Sequence, residues 1–203
     1  KQFVRKNVFG NSAIWVLAIA NFFVYIVRYA VLDWGPTLLG EWKGVSIHHA
    51  GWMVAAFEIS GIVGMLVAGW ATDRFFGGRG PRVCVICMAL ATVFVALFWG
   101  ISQPPMWLAT LLLGAAGFCI YGPQALVGIA AANIATKKAA ATAVGFTGLF
   151  GYASTLVSGW GLGLLAQHYG WNIAVGALIL IAIMGTLIFM AAWSAKANGY
   201  DND

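Results

Sequence analysis

Residues 12–39 read SAIWVLAIANFFVYIVRYAVLDWGPTLL, an apolar run broken by two charges, Arg28 and Asp33. A bilayer core about 30 Å thick is crossed by about 20 helical residues, so this run is long enough to span it. Five more runs follow, at about 50–71, 83–101, 106–132, 139–166 and 173–193. The second holds Glu58, and the last four hold no Asp, Glu, Lys or Arg. The expected fold is all-α: a polytopic membrane protein of six transmembrane helices with no soluble domain.

Composition agrees. The 203-residue chain is 62% hydrophobic and 8% charged, with a mean hydropathy of +0.87, whereas soluble domains carry about 25% charged residues. A net charge of +5 would suit nucleic acid if the cations shared one solvated face. They fall instead in short groups between apolar runs, so the expected partner is the lipid bilayer and not nucleic acid. Lys1, Arg5 and Lys6 precede the first run, Arg74, Arg79 and Arg82 follow the second, Lys137 and Lys138 the fourth, and Lys196 the sixth. On the alternate side stands Lys43 alone. Cationic loops stay cytoplasmic, which puts both termini in the cytoplasm.

Lys1 in place of Met, and a basic stretch ahead of the first helix, give the expectation of a piece cut from a longer chain. Gly35-Pro36 is expected to kink or end the first helix, Gln103-Pro104-Pro105 to part the third from the fourth, and Asn198-Gly199 to follow the last. Trp34, Trp42, Trp52, Trp107, Trp171 and Trp193 fall where an aromatic belt belongs.

The charges inside the runs are the candidates for function. A guanidinium cannot shed its proton, and its cost at mid-membrane, about 3 to above 10 kcal/mol, has to be offset. Arg28 lies near the middle of its run, with Tyr25 and Asn21 on about the same helical face. Two readings fit: an ion pair with Glu58, or bidentate recognition of a phosphate or carboxylate, the latter preferred. Glu58 is expected to face the bundle interior. Asp33 lies on another face of its helix and serves a separate contact or the membrane boundary.

The glycines of the fourth and fifth runs, among them Gly117, Gly122, Gly148, Gly151 and the Gly159/Gly163 pair, suit close helix packing or a cavity. Tyr121-Gly122-Pro123 is expected to loosen the fourth helix. Cys84 and Cys87 form a CxxC within an apolar run and read as buried thiols. His48, His49 and His168 read as solvated loop residues. Gly77-Gly78-Arg79-Gly80 lacks the remainder of a phosphate-binding loop. No nucleophile, base and orienter occur together, so neither enzymatic chemistry nor a metal or cofactor is expected.

The segment Gly69-Trp-Ala-Thr-Asp73-Arg74, followed by Gly77, Gly78, Arg79 and Arg82, resembles the loop signature of the major facilitator superfamily, with looser spacing after Arg74. The stretch from Tyr25 through Arg28 and Asp33 to Pro36 narrows the match, as do Gly145 to Tyr152, Tyr121-Gly-Pro123 and Lys137-Lys138-Ala139-Ala140. Together they resemble the carboxyl-terminal half of the organophosphate:phosphate antiporters, nearest the bacterial glycerol-3-phosphate members. The hexose-phosphate members differ by an acidic and a lysine residue in the helix that here runs Gly145 to Tyr152.

The resemblance implies the second six-helix bundle of a twelve-helix transporter, with the amino-terminal bundle missing and the site at the midplane between halves. It implies exchange of glycerol 3-phosphate or a sugar phosphate for inorganic phosphate across a bacterial inner membrane. Arg28 matches one of two arginines that clamp phosphate, and Tyr25, Tyr121 and Tyr152 match residues of the cavity. Asp33 and Glu58 match acids that pair with a basic residue of the other half, while Asp73 and Arg74 tune the conformational equilibrium. Two rivals remain at this point: a transporter-like receptor that binds a phosphate ester and signals to a partner kinase, and a six-helix protein that assembles with itself.

Overall fold

A computed structural model of the chain describes residues 2–196; Lys1, Asn198 and Gly199 lie outside the described residues. A short helical lead-in, Gln2–Val4 and a π turn at Arg5–Phe9, precedes six long helices. They are α1 Ser12–Lys43, α2 Ile47–Phe76, α3 Gly80–Gly100, α4 Met106–Ile134, α5 Ala140–Tyr169 and α6 Trp171–Ala191, and each is long and apolar enough to cross a membrane. No strand occurs among the described residues.

Local chemistry sets the ends. The Asn11 side chain caps α1 by accepting from the Ala13 amide at 3.0 Å, satisfying one of the free amides of a helix start. At the other end Gly44 turns left-handed, φ 68°, and its N–H reaches the Gly40 carbonyl in the usual glycine stop. Gly170, φ 83°, turns the chain between α5 and α6.

Neither Gly35-Pro36 nor Tyr121-Gly122-Pro123 ends its helix. α1 passes through Gly35-Pro36 and runs to Lys43, four residues beyond the sequence boundary at Leu39. Gly35 serves close packing: a Cβ there would stand 2.7 Å from Val54 Cγ2 of α2. α4 likewise runs unbroken through Tyr121-Gly122-Pro123, all of them buried. The discontinuity sits in α5, where Ala140–Ala153 gives way to a π segment, Leu156–Gly161, before Leu162–Tyr169 completes the span. A side chain set against the hydrogen-bond ladder is a known source of such a discontinuity. The Trp34 indole N–H donates to the carbonyls of Ser158 at 3.0 Å and Gly159 at 3.2 Å.

α1 and α4 are the innermost helices. α2 lies along α4 at backbone contact: a Cβ on Gly64 would sit 1.9 Å from the Phe118 carbonyl oxygen, and one on Gly117 2.3 Å from that of Phe57. Ser60 Oγ closes the seam by donating to the Gly114 carbonyl at 2.7 Å. α3 packs on α4 and α6, and α5 rests on α1 and α4. Between lipid-like surfaces there is little hydrophobic gain in helix association, so small residues and close backbones do this work. The seam matters for the site, because it fixes Glu58 of α2 opposite Tyr121 of α4.

Candidate functional site

Arg28 of α1, Glu58 of α2 and Tyr121 of α4 converge. Arg28 Nη2 donates to Tyr121 Oη at 2.9 Å, and the Tyr121 hydroxyl donates to Glu58 Oε1. Arg28 Nη2 stands 3.8 Å from Glu58 Oε2. The guanidinium carbon lies 4.7 Å from the centre of the Tyr121 ring and 5.5 Å from that of Tyr29, within range of cation–π attraction. Of the two readings open for Arg28, the ion pair therefore exists. Within this chain the carboxylate of Glu58 meets Arg28; a basic residue of the other half is the further partner that the resemblance implies.

The pair is loose. The Arg28 side chain is 16% exposed and that of Glu58 34%, so the carboxylate reaches solvent-accessible space. Arg28 Nε is buried and has no hydrogen-bond partner among the described residues. An unmet donor on a buried cation carries a desolvation cost. Arg28 thus has binding capacity that Glu58 and Tyr121 do not fill.

Glycine gives Tyr121 its seat. A Cβ on Gly61 of α2 would lie 2.4 Å from Tyr121 Cδ2, so any larger residue displaces the ring that joins Arg28 to Glu58. Phe57 meets the same ring edge-on, centroids 6.1 Å apart.

Tyr25 lies on the same face of α1, its ring 5.6 Å from Tyr29 and 6.2 Å from Tyr152 of α5. It packs over Gly151, where a Cβ would stand 3.2 Å from the ring. Tyr152 is 65% exposed and faces open space. The four residues expected at the cavity, Arg28, Tyr25, Tyr121 and Tyr152, are thus joined through the Tyr29 ring into one chain of contacts across α1, α4 and α5. Asn21, on the same stripe, donates from Nδ2 to the Thr147 carbonyl at 3.0 Å and ties α1 to α5.

Other expected residues stand apart. Asp33 is exposed and has no ion-pair partner among the described residues. Asp73 and Arg74 are exposed at the far end of α2, about 22 Å from Glu58 by helical rise. Asp73 borders a cavity of about 100 Å³ with Thr72 and Asn133. Cys84, Cys87 and Cys119 are free thiols. Trp52 Nε1 donates to His48 Nε2 at 3.3 Å, and His49 Nδ1 shares a 2.8 Å hydrogen bond with Ser46 Oγ, so both histidines belong to the first turns of α2 and not to a loop.

Sequence reasoning missed Tyr29 and Gln124. The ring of Tyr29 flanks the guanidinium, and its position next to Arg28 was the available signal. Gln124 Oε1 is buried without a partner among the described residues, and a glutamine three residues past Tyr121 lies on the same helical face.

Comparison with known proteins bears on the family. The family model described as Major Facilitator Superfamily matches residues 17–199. The chain is 40% identical over 196 residues to the probable hexose phosphate transport protein of Chlamydia pneumoniae, covering 96% of this chain and 43% of that protein. It is 36% identical over 217 residues to the glycerol-3-phosphate transporter of Haemophilus influenzae, covering 97% and 45%. It is 35% identical over 184 residues to the membrane sensor protein UhpC of Escherichia coli strain K12, covering 90% and 41%. The chain thus spans less than half the length of these relatives. Six membrane-length helices, a charged cluster on their inner faces and a match over nearly the whole sequence lead to one conclusion: the chain belongs to the Major Facilitator Superfamily.

Proposed function

We propose that this chain is the carboxyl-terminal half of a twelve-helix transporter that exchanges an organophosphate for inorganic phosphate by alternating access. The observation that carries the reading is Arg28: a guanidinium near mid-span, with a buried, unmet Nε–H and a partly exposed carboxylate 3.8 Å away as its present counter-ion. Relatives named for hexose phosphate and for glycerol 3-phosphate support the ester class. The nine cations on alternate loops against Lys43 support cytoplasmic termini in a bacterial inner membrane.

A phosphate oxyanion presents the planar, doubly accepting face that suits an arginine fork. On entry it competes with Glu58 for the guanidinium. Tyr121, which donates to Glu58 in the empty site, is then free to donate to the anion. The empty site is not a bare cation, because Glu58 neutralises it. An arriving anion thus breaks a contact between α1 and α2 as it makes its own, and differential binding of this kind shifts a conformational equilibrium. The second anchoring cation belongs to the missing half, and Asp33, on another face of α1, pairs with a basic residue of that half. Asp73 and Arg74 act on the equilibrium from the cytoplasmic end.

The test is exchange by the full-length protein in phosphate-loaded proteoliposomes challenged with external glycerol 3-phosphate or glucose 6-phosphate. Stoichiometric release of phosphate is the expected result, and its absence for every ester defeats the antiporter reading. A second reading has its own support in the sensor among the relatives: a receptor that binds the ester and signals to a membrane partner. Saturable ester binding without movement across the bilayer favours the receptor.

A further inference from the structure

Along α1 from Arg28, from about 9 Å at Trp34 to about 20 Å at Glu41 by helical rise, lies a second, differently built site. Where α1, the π segment of α5 and the α5–α6 turn meet, the fold forms an open cleft of about 550 Å³. Three indoles line it, Trp34, Trp160 and Trp171, with Thr37 and Gln167 beside them, and Glu41 is its one charged residue.

Two of the indoles are fixed. Trp34 is held by its two hydrogen bonds to the π segment and lies against Gly163, where a Cβ would come within 2.6 Å of its Cζ2. Trp171 is 9% exposed, and its indole N–H donates to Glu41 Oε2 at 2.6 Å. The two rings meet at 57° with centroids 5.9 Å apart, forming a corner. The third wall, Trp160, is 75% exposed.

Glu41 completes the corner. Trp171 holds it in place, and it has no ion-pair partner among the described residues. The nearest cation on its own helix, Lys43, is turned away to the Ile101 carbonyl at 2.7 Å and to the Trp42 ring at 3.8 Å. A carboxylate without a counter-ion repels the phosphate esters assigned to Arg28. Indole faces attract cations, tryptophan most strongly of the side chains, and aromatic cages are a known means of holding quaternary ammonium. Walls fixed before binding reduce the ordering cost of association.

We propose that this cleft binds an organic ammonium group, which rests on the faces of Trp34, Trp160 and Trp171 with Glu41 as its counter-ion. The group has two sources: a free solute such as choline, or the headgroup of an ethanolamine lipid, since the cleft lies at the boundary end of its helices, where headgroups lie.

The test uses full-length protein in maltoside detergent, which carries no ammonium, with choline as the probe and 3,3-dimethyl-1-butanol as its neutral isostere, both followed by saturation-transfer NMR. Saturable choline binding is expected, at least tenfold tighter than that of the isostere and weakened at least tenfold by Glu41→Gln and by Trp160→Ala. Both side chains are exposed, and phosphate exchange by the variants reports that they fold. Equal binding of the two probes, or variants that keep the wild-type affinity, overturns the proposal. Repeating the titration in nanodiscs separates the sources. Weaker choline binding in phosphatidylethanolamine than in phosphatidylglycerol identifies a resident headgroup, equal binding identifies a free solute, and no binding in either overturns the proposal. Failure here leaves the exchange reading untouched, because exchange is measured separately.

Discussion

Arg28 and Glu58 face each other across α1 and α2 at 3.8 Å, with the Tyr121 hydroxyl bonded to both. One tyrosine thus joins the only arginine within the apolar runs to an acid thirty residues away in sequence. The arrangement offsets a costly charge while leaving the buried Arg28 Nε without a hydrogen-bond partner among the described residues.

Arg28→Lys keeps the charge and loses the planar fork. Exchange by the full-length protein is expected to fall at least tenfold, chiefly through weaker phosphate binding. Exchange kinetics identical to wild type remove Arg28 from the anion site.

The α2–α4 seam leaves no room at Gly64, where a Cβ would meet the Phe118 carbonyl oxygen at 1.9 Å. Backbone cannot rotate away as a side chain does, so Gly64→Ala is expected to cost about 2 kcal/mol or more by overpacking, read as a lowered unfolding temperature in detergent. Gly176→Ala, with nothing within 4 Å of its Cβ, is the control and is expected to unfold as wild type does.

Trp34→Phe removes the donor to the Ser158 and Gly159 carbonyls and keeps most of the ring. Its cost is expected to be about 1–3 kcal/mol, that of leaving buried acceptors unmet. Amide hydrogen exchange over residues 156–161 is expected to quicken before that of α4 does. Unchanged exchange there contradicts a hold by the indole on the π segment.

Asp73→Asn lies far from the anion site and is expected to change turnover more than phosphate affinity. A parallel change in both places Asp73 in binding and not in the conformational equilibrium.

Much of the fold is legible in the sequence because lipid imposes one rule: each span needs a long apolar helix with its backbone bonded internally. The runs therefore mark six helices. The same rule explains why α1 and α4 continue through Gly35-Pro36 and Tyr121-Gly122-Pro123, since packed neighbours hold each helix through its proline. The π segment is illegible because the indole bonded to it, Trp34, lies 124 residues from Ser158. Arg28 and Glu58 stand out by their charge, and the resemblance supplies Tyr121. Which acid Arg28 meets depends on the α2–α4 seam, which no local pattern encodes. The Trp171–Glu41 bond, across 130 residues, is hidden for the same reason.

Competition between Glu58 and phosphate for Arg28 is measured by equilibrium binding of radiolabelled phosphate to Glu58→Gln in the full-length protein. Glutamine keeps the shape and removes the rival charge, so phosphate is expected to bind about tenfold tighter, about 1.4 kcal/mol. Binding that is unchanged or weaker than wild type contradicts the competition.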